Sequence, residues 1–106
     1  MSTDLATAVT AVIINFRTPD LTARAVQSLR QFYPRIPLLV IDNGSGAHAL
    51  SHLRHLCATA PDVTTLVTNP ANIHHGPAMD QAFRHARTPF VLFLDSDCEV
   101  LKPGVL

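Results

Sequence analysis

No charge of either sign dominates this sequence: eight Lys and Arg stand against eight Asp and Glu in 106 residues. A surface without a basic excess has no electrostatic footprint for nucleic acid or for an acidic membrane face, so neither partner class is expected. Long apolar runs are missing too. The longest, Ala11 to Ile14 and Phe90 to Leu94, fall far short of the ~20 residues that cross a bilayer, and no membrane segment is expected in this chain. The two cysteines, Cys57 and Cys98, make no Cys-x-x-Cys pair and follow no secretory segment. That predicts reduced thiols in a cytoplasmic protein, held at most to the inner face of a membrane through segments outside this chain. Glycine is scarce as well: Asn43-Gly44 and Lys102-Pro103-Gly104 read as turns, and no glycine-rich loop is present to cradle a phosphate. Internal repeats and low-complexity stretches are absent.

What is present is apolar. Hydrophobic residues make up 47% of the chain and charged ones 15%. A chain of this length forms one domain, burying roughly two-thirds of the surface it exposes unfolded. After a polar tail over residues 1–7, Ala8 to Ile14 is β-branched and short, and predicts a first strand that ends at Asn15-Phe16-Arg17. Thr18-Pro19-Asp20 predicts a helix start, with a threonine cap, proline at the first helical position and an acid in the first turn. Leu21, Ala25, Leu29 and Phe32 then give one apolar face, closed by Pro34. Pro37 to Ile41 predicts a second buried strand, ending at Asp42. Ala49, Leu50, Leu53 and Leu56 mark a second helix, Asp62 to Thr68 a weaker third strand, and Gly76-Pro77 a third helix carrying Met79, Ala82, Phe83 and Ala86.

Pro89 to Leu94 predicts a fourth strand, buried on both faces, and Asp95-Ser96-Asp97 follows at once. Two carboxylates on one strand face would repel by roughly 4 kcal/mol at a surface-like dielectric. A divalent cation offsets that, and hard oxygen ligands suit Mg²⁺ or Mn²⁺ held between one or two carboxylates and the phosphates of a nucleotide. A solvated turn is the competing reading. Strand and helix alternate with connections too long for hairpins, which predicts right-handed crossovers and a mainly parallel sheet in a three-layer α/β/α fold. Ligands of such sheets sit beyond the carboxyl ends of the strands, where Asn15, Asp42, Asn69 and Asp95 all fall.

The runs VIINFRTPDLTARAVQSL, LLVIDNGSG, TNPANIHHGPAMDQAF and FVLFLDSD, in that order and spacing, resemble the nucleotide-sugar-binding half of a family 2 glycosyltransferase with the Rossmann-like GT-A fold. The resemblance covers nearly the whole chain and implies the strand order 3-2-1-4. Residues 8–106 would form the donor-binding part, cut before the acceptor half. It implies that the loop at Asn15 and Arg17 surrounds the nucleotide, and that Asp42 contacts the uracil or ribose of a UDP-linked donor. Asp95 and Asp97 would hold ribose, diphosphate and metal, with Asp97 the more direct metal ligand. A sugar would pass to an acceptor hydroxyl with inversion, the cation neutralising charge on the departing diphosphate. No catalytic base is expected within the chain; it would lie beyond Leu106, and the chain alone would be inactive.

The chain also departs from the family's pattern. His74-His75 stand where the family has glycine followed by an aromatic or serine, and Met79-Asp80 where it often has Arg-Asn. Just before a helix N-terminus, the two histidines are candidates for diphosphate contact, against the alternative of solvated loop residues. His48, His52 and His55 fall at helical spacing but read as a solvated face, since no cysteine or acid completes a metal site. Cys98 reads as a small, partly buried residue. Three other functions compete. A sugar-nucleotide pyrophosphorylase would need a glycine in Asn15-Phe16-Arg17-Thr18-Pro19. An Asp-x-Asp phosphatase with Asp95 as nucleophile would need threonine where Glu99 stands. The last is a non-catalytic nucleotide-binding or interaction fragment. A fourth strand at the sheet edge, with no charge or proline inside it, predicts pairing into a homodimer.

Overall fold

The computed structural model describes residues 7–95. Within them β1 (Val9–Asn15), α1 (Pro19–Phe32), β2 (Leu38–Asn43), α2 (Ala47–Cys57), β3 (Thr64–Asn69), α3 (His75–His85) and β4 (Phe90–Leu94) follow one another in alternation. All strand pairs are parallel, in the expected order β3-β2-β1-β4. That order dictates where the helices go. Stepping from β1 to β2 to β3 in right-handed crossovers puts α1 and α2 on one face, and the return step to β4 puts α3 on the other. The two cores follow this division. Ala11, Ile13, Leu38 and Val40 pack against Ala25, Val26 and Leu29 of α1 and Leu53 of α2. Val12, Leu39 and Ile41 pack against Ala78 and Ala82 of α3. The alanines let α3 lie close to the sheet.

Several local expectations change. Thr18 stands at the N-cap of α1 without a side-chain capping bond; its hydroxyl donates instead to Asn15 Oδ1 at 3.3 Å. Pro19 and Asp20 still favour the start. Leu21 is 36% exposed, and the buried stripe runs through Thr22, Ala25, Val26 and Leu29. Here α1 turns one position further than the apolar residues alone predict, because Thr22 has a buried partner. The strand β2 continues through Asp42 and Asn43, both buried. At the other end, β3 starts two residues late, since Asp62 accepts from Arg35 at 2.8 Å in an exposed ion pair. Nor is β4 buried on both faces: Phe90 is 65% exposed and the rest of the strand half-buried. It pairs only with β1 among the described residues, and an edge strand lacks one set of neighbours.

The amino ends of β2 and β3 are tied by Arg30, whose guanidinium donates to the carbonyl of Ile36 at 2.5 Å and to that of Val63 at 2.9 Å. Burial, then the charge of Arg35, lowers its pKa. Cys57 ends α2 inside the same core, 7% exposed. Burial pushes its thiol up to about 11, with Arg30 pulling weakly the other way. At pH 8 on the order of one molecule in a thousand then carries the thiolate that reacts. Iodoacetamide at pH 8 is expected to alkylate Cys57 at least about 100-fold faster in urea than in the native protein, read by peptide mass spectrometry, which separates it from Cys98. Comparable native and denatured rates would mean that α2 does not seal this core.

Candidate functional site

Because β2 lies on one side of β1 and β4 on the other, the order in which the chain adds strands reverses between β1 and β4. α1, which follows β1, lies on one face and α3, which follows β3, on the other, and a crevice opens at the carboxyl ends. A cleft of about 460 Å³ lies there, lined by Ile14 of β1, Phe93 and Leu94 of β4, Asp95, Thr18 and Leu21 at the start of α1, and His75 at the start of α3. Two helix N-termini therefore border it from opposite faces, where backbone N–H groups and the helix dipole favour an anion. Asp95 is exposed and is the only carboxylate lining the cleft among the described residues.

Beside the cleft, under the β1 and β2 tips, is a buried polar network. Asn15 pairs in register with Asp42. Its Nδ2 donates to Asp42 Oδ1 at 3.0 Å and to Ser45 Oγ at 3.1 Å, and its Oδ1 accepts from Thr22 at 2.6 Å and from Thr18 at 3.3 Å. Two donors and two acceptors are all that the amide has, and Asn15 has no exposed surface. Its side chain is thus buried at the β1 tip, fully engaged with Asp42, Ser45, Thr22 and Thr18. Asp42 is 2% exposed, and its second oxygen accepts from the Ser45 N–H at 3.3 Å. Ser45 Oγ also receives the N–H of Arg17 at 2.7 Å. That bond pins a backbone with φ of 59°, a left-handed conformation that is rare outside glycine. Arg17 is exposed, its guanidinium 4.9 Å from the centre of the Phe16 ring, and it does not line the cleft.

On the α3 face a second network holds the loop before α3. Asn43 and Asn69 pair in register. Asn43 Oδ1 accepts from Asn69 at 3.3 Å and from the Ile73 N–H at 3.1 Å, while its Nδ2 donates to Asn72 Oδ1 at 3.0 Å and to the His74 carbonyl at 3.3 Å. Gln81 and Asn69 exchange amide bonds at 2.9 and 2.8 Å, fixing α3 to the β3 tip. His74 is the exposed N-cap of α3 with φ of 72°. Only His75 of the histidine pair reaches the cleft.

Of the expected site residues, the structure therefore brings Asp95 and His75 to one cleft, sets Asp42 and Asn15 in the adjoining network, and leaves Arg17 and His74 on exposed backbone. Asp97, Cys98, Glu99 and the Lys102-Pro103-Gly104 turn lie outside the described residues, as does most of the polar tail. No group of three His, Cys, Asp or Glu close enough to hold a metal occurs among the described residues. The sequence reading missed Thr22, Ser45, Asn43 and Gln81. A polar residue at a core position of an amphipathic helix, as Thr22 is, was the available signal.

The model of the family described as "Glycosyl transferase family 2" matches residues 10–105, a span that takes in all of the elements above but the first residue of β1. The chain belongs to glycosyltransferase family 2. Among solved structures, the mannosyltransferase PcManGT from Pyrobaculum calidifontis, in complex with GDP-Man and Mn²⁺, is similar at 25% identity and a TM-score of 0.75, over 84% of this chain and 27% of that one. TarS 1-349 from S. aureus in complex with UDP shares the fold at 18% identity and a TM-score of 0.72, over 85% of this chain and 27% of that one. The family 2 chain thus spans about a quarter of the length of these neighbours. A search by sequence among curated proteins finds no match. No helix among the described residues is long and apolar enough to cross a membrane.

Proposed function

We propose that this chain binds the donor of a glycosyltransferase that passes a sugar from a nucleoside diphosphate, UDP in the first instance, to an acceptor hydroxyl with inversion. The observation that carries the reading is the cleft at the β1/β4 reversal, with Asp95 at one edge and two helix N-termini facing it. Family membership and a neighbour solved with GDP-Man and Mn²⁺ support it.

The donor set suits a hard cation: an exposed carboxylate, Asp95, beside a cleft able to take phosphate oxygens, with Asp97 as the second carboxylate. Mn²⁺ or Mg²⁺ there would supply charge neutralisation for the departing diphosphate. The chain's own residues do the rest of the binding. His75 and the first turn of α3 offer donors to the diphosphate, in place of the arginine that the family often has further along this helix. Asp42, its carboxylate held in one orientation by Asn15 and the Ser45 N–H, is assigned to the ribose or base of the donor. The base that deprotonates the acceptor is assigned to an acceptor half of the enzyme, as the family resemblance implies.

Calorimetric titration of UDP and GDP, each with and without Mn²⁺, tests this. UDP is expected to bind at least about tenfold more tightly with Mn²⁺, a gain of about 1.4 kcal/mol, and Asp97→Asn is expected to remove the gain while leaving the circular dichroism unchanged. Equal affinity with and without the metal would count against the assignment. Tighter binding of GDP than UDP would keep the transferase and change the donor.

A further inference from the structure

The proposed transferase has no use for the histidines on α2. His48, His52 and His55 are all exposed. Spacing alone reads as a solvated stripe, but the structure adds a proximity: the His48 and His52 ring centres lie 5.2 Å apart, with the planes tilted by 54°. A metal ion ~2.0 Å from one nitrogen of each of two imidazoles sits ~3.2 Å from each ring centre, and at a tetrahedral angle this places the centres ~5.2 Å apart. The two rings already stand at the separation that a shared ion requires.

We propose that His48 and His52 form a two-imidazole chelate for a borderline divalent transition metal ion, Zn²⁺, Ni²⁺ or Cu²⁺, on the outer face of α2, with water completing the shell. This site is chemically separate from the cleft. Imidazole nitrogen suits Zn, Ni and Cu, whereas Mg²⁺ and Mn²⁺ prefer the oxygen ligands that Asp95 and Asp97 provide. His55 is not a third ligand: it lies seven residues from His48, ~10.5 Å along the helix. The position also gives binding a structural consequence. Gly46, at the N-cap of α2, provides no side-chain capping bond for the first turn. A chelate bridging the first and second turns therefore closes a helix end that the sequence leaves weakly held.

Ni²⁺ is the probe, titrated by calorimetry and in thermal melts into the whole chain carrying Cys98→Ser, which removes the thiol beside Asp95 and Asp97. One ion per chain and a raised melting temperature are expected. His48→Ala and His52→Ala should each weaken Ni²⁺ binding at least tenfold and abolish the thermal gain, while His55→Ala leaves both intact. All three positions are exposed, so the variants are expected to fold, and circular dichroism checks that they do. The proposal is overturned if the Cys98→Ser chain binds no Ni²⁺, if His48→Ala and His52→Ala bind it undiminished, or if His55→Ala loses as much as they do.

Discussion

Asn15→Leu is expected to cost about 3–5 kcal/mol of folding stability, the range for stripping a buried charge of its partner. Leucine keeps the branched shape and is larger, so the loss would not come from a cavity. It would come from Asp42 Oδ1, which loses the Nδ2 donor at 3.0 Å inside the fold, and from the Thr22 hydroxyl, which loses its acceptor at 2.6 Å. The Ser45 N–H, at 3.3 Å from the other oxygen, stays with the carboxylate. The reading on urea denaturation is a lower midpoint with an unchanged slope. Asn15→Asp separates charge from shape. It puts a second carboxyl where the amide now lies 3.0 Å from Asp42 Oδ1, and like charges that close favour a shared proton. The folded state would then bind a proton that the unfolded chain releases above about pH 4, so stability should fall as the pH rises from about 4 toward the raised folded value. A midpoint for Asn15→Asp that does not fall over that range would mean that Asn15 and Asp42 are not in contact.

That network also shows where sequence reading stopped. Strands β1 and β2 were legible because Ala11 to Ile14 and Leu38 to Ile41 are continuous apolar runs, which the interior of a parallel sheet demands. The placement of Asn15 and Asp42 at strand ends was legible for the same reason, since polarity begins where the runs stop. Their hydrogen bond was not. It depends on the pairing of Asn15 with Asp42, which joins residues far apart in the chain. The exposure of Leu21 and the burial of Thr22 were hidden likewise: periodicity gives the width of an apolar stripe, while the rotation of α1 is set by what Thr22 finds beneath it. Phe90 to Leu94 looked doubly buried because a strand's composition does not say whether it has a neighbour on each side. His74 and His75 looked alike in sequence, and the asparagine ladder at Asn43 and Asn69 distinguishes them by fixing where α3 begins.

Gly44→Ala is expected to destabilise the fold by about 3 kcal/mol, and the comparison with Gly46→Ala shows why. Both glycines have positive φ, +80° at Gly44 and +100° at Gly46, so both substitutions force a side chain onto a backbone that L-residues avoid. That strain costs about 1–3 kcal/mol. Space separates them. A Cβ at Gly46 meets nothing within 4 Å, whereas one at Gly44 would lie 2.5 Å from the carbonyl carbon of Ala71 and 2.7 Å from the Asn72 nitrogen. Those are backbone atoms of the loop before α3, and the loop cannot yield cheaply. Asn72 Oδ1 accepts from Asn43 Nδ2 and from the His74 N–H, and Asn43 Oδ1 holds the Ile73 N–H. Pushing the loop away breaks those bonds and moves His75, so Gly44→Ala should weaken nucleotide binding as well as lower the denaturation midpoint. Gly46→Ala should lower the midpoint less and leave binding unchanged. Equal midpoints for the two variants would show that the β2–α2 and β3–α3 loops do not press on each other at Gly44, and the link from that glycine to the cleft would fall with it.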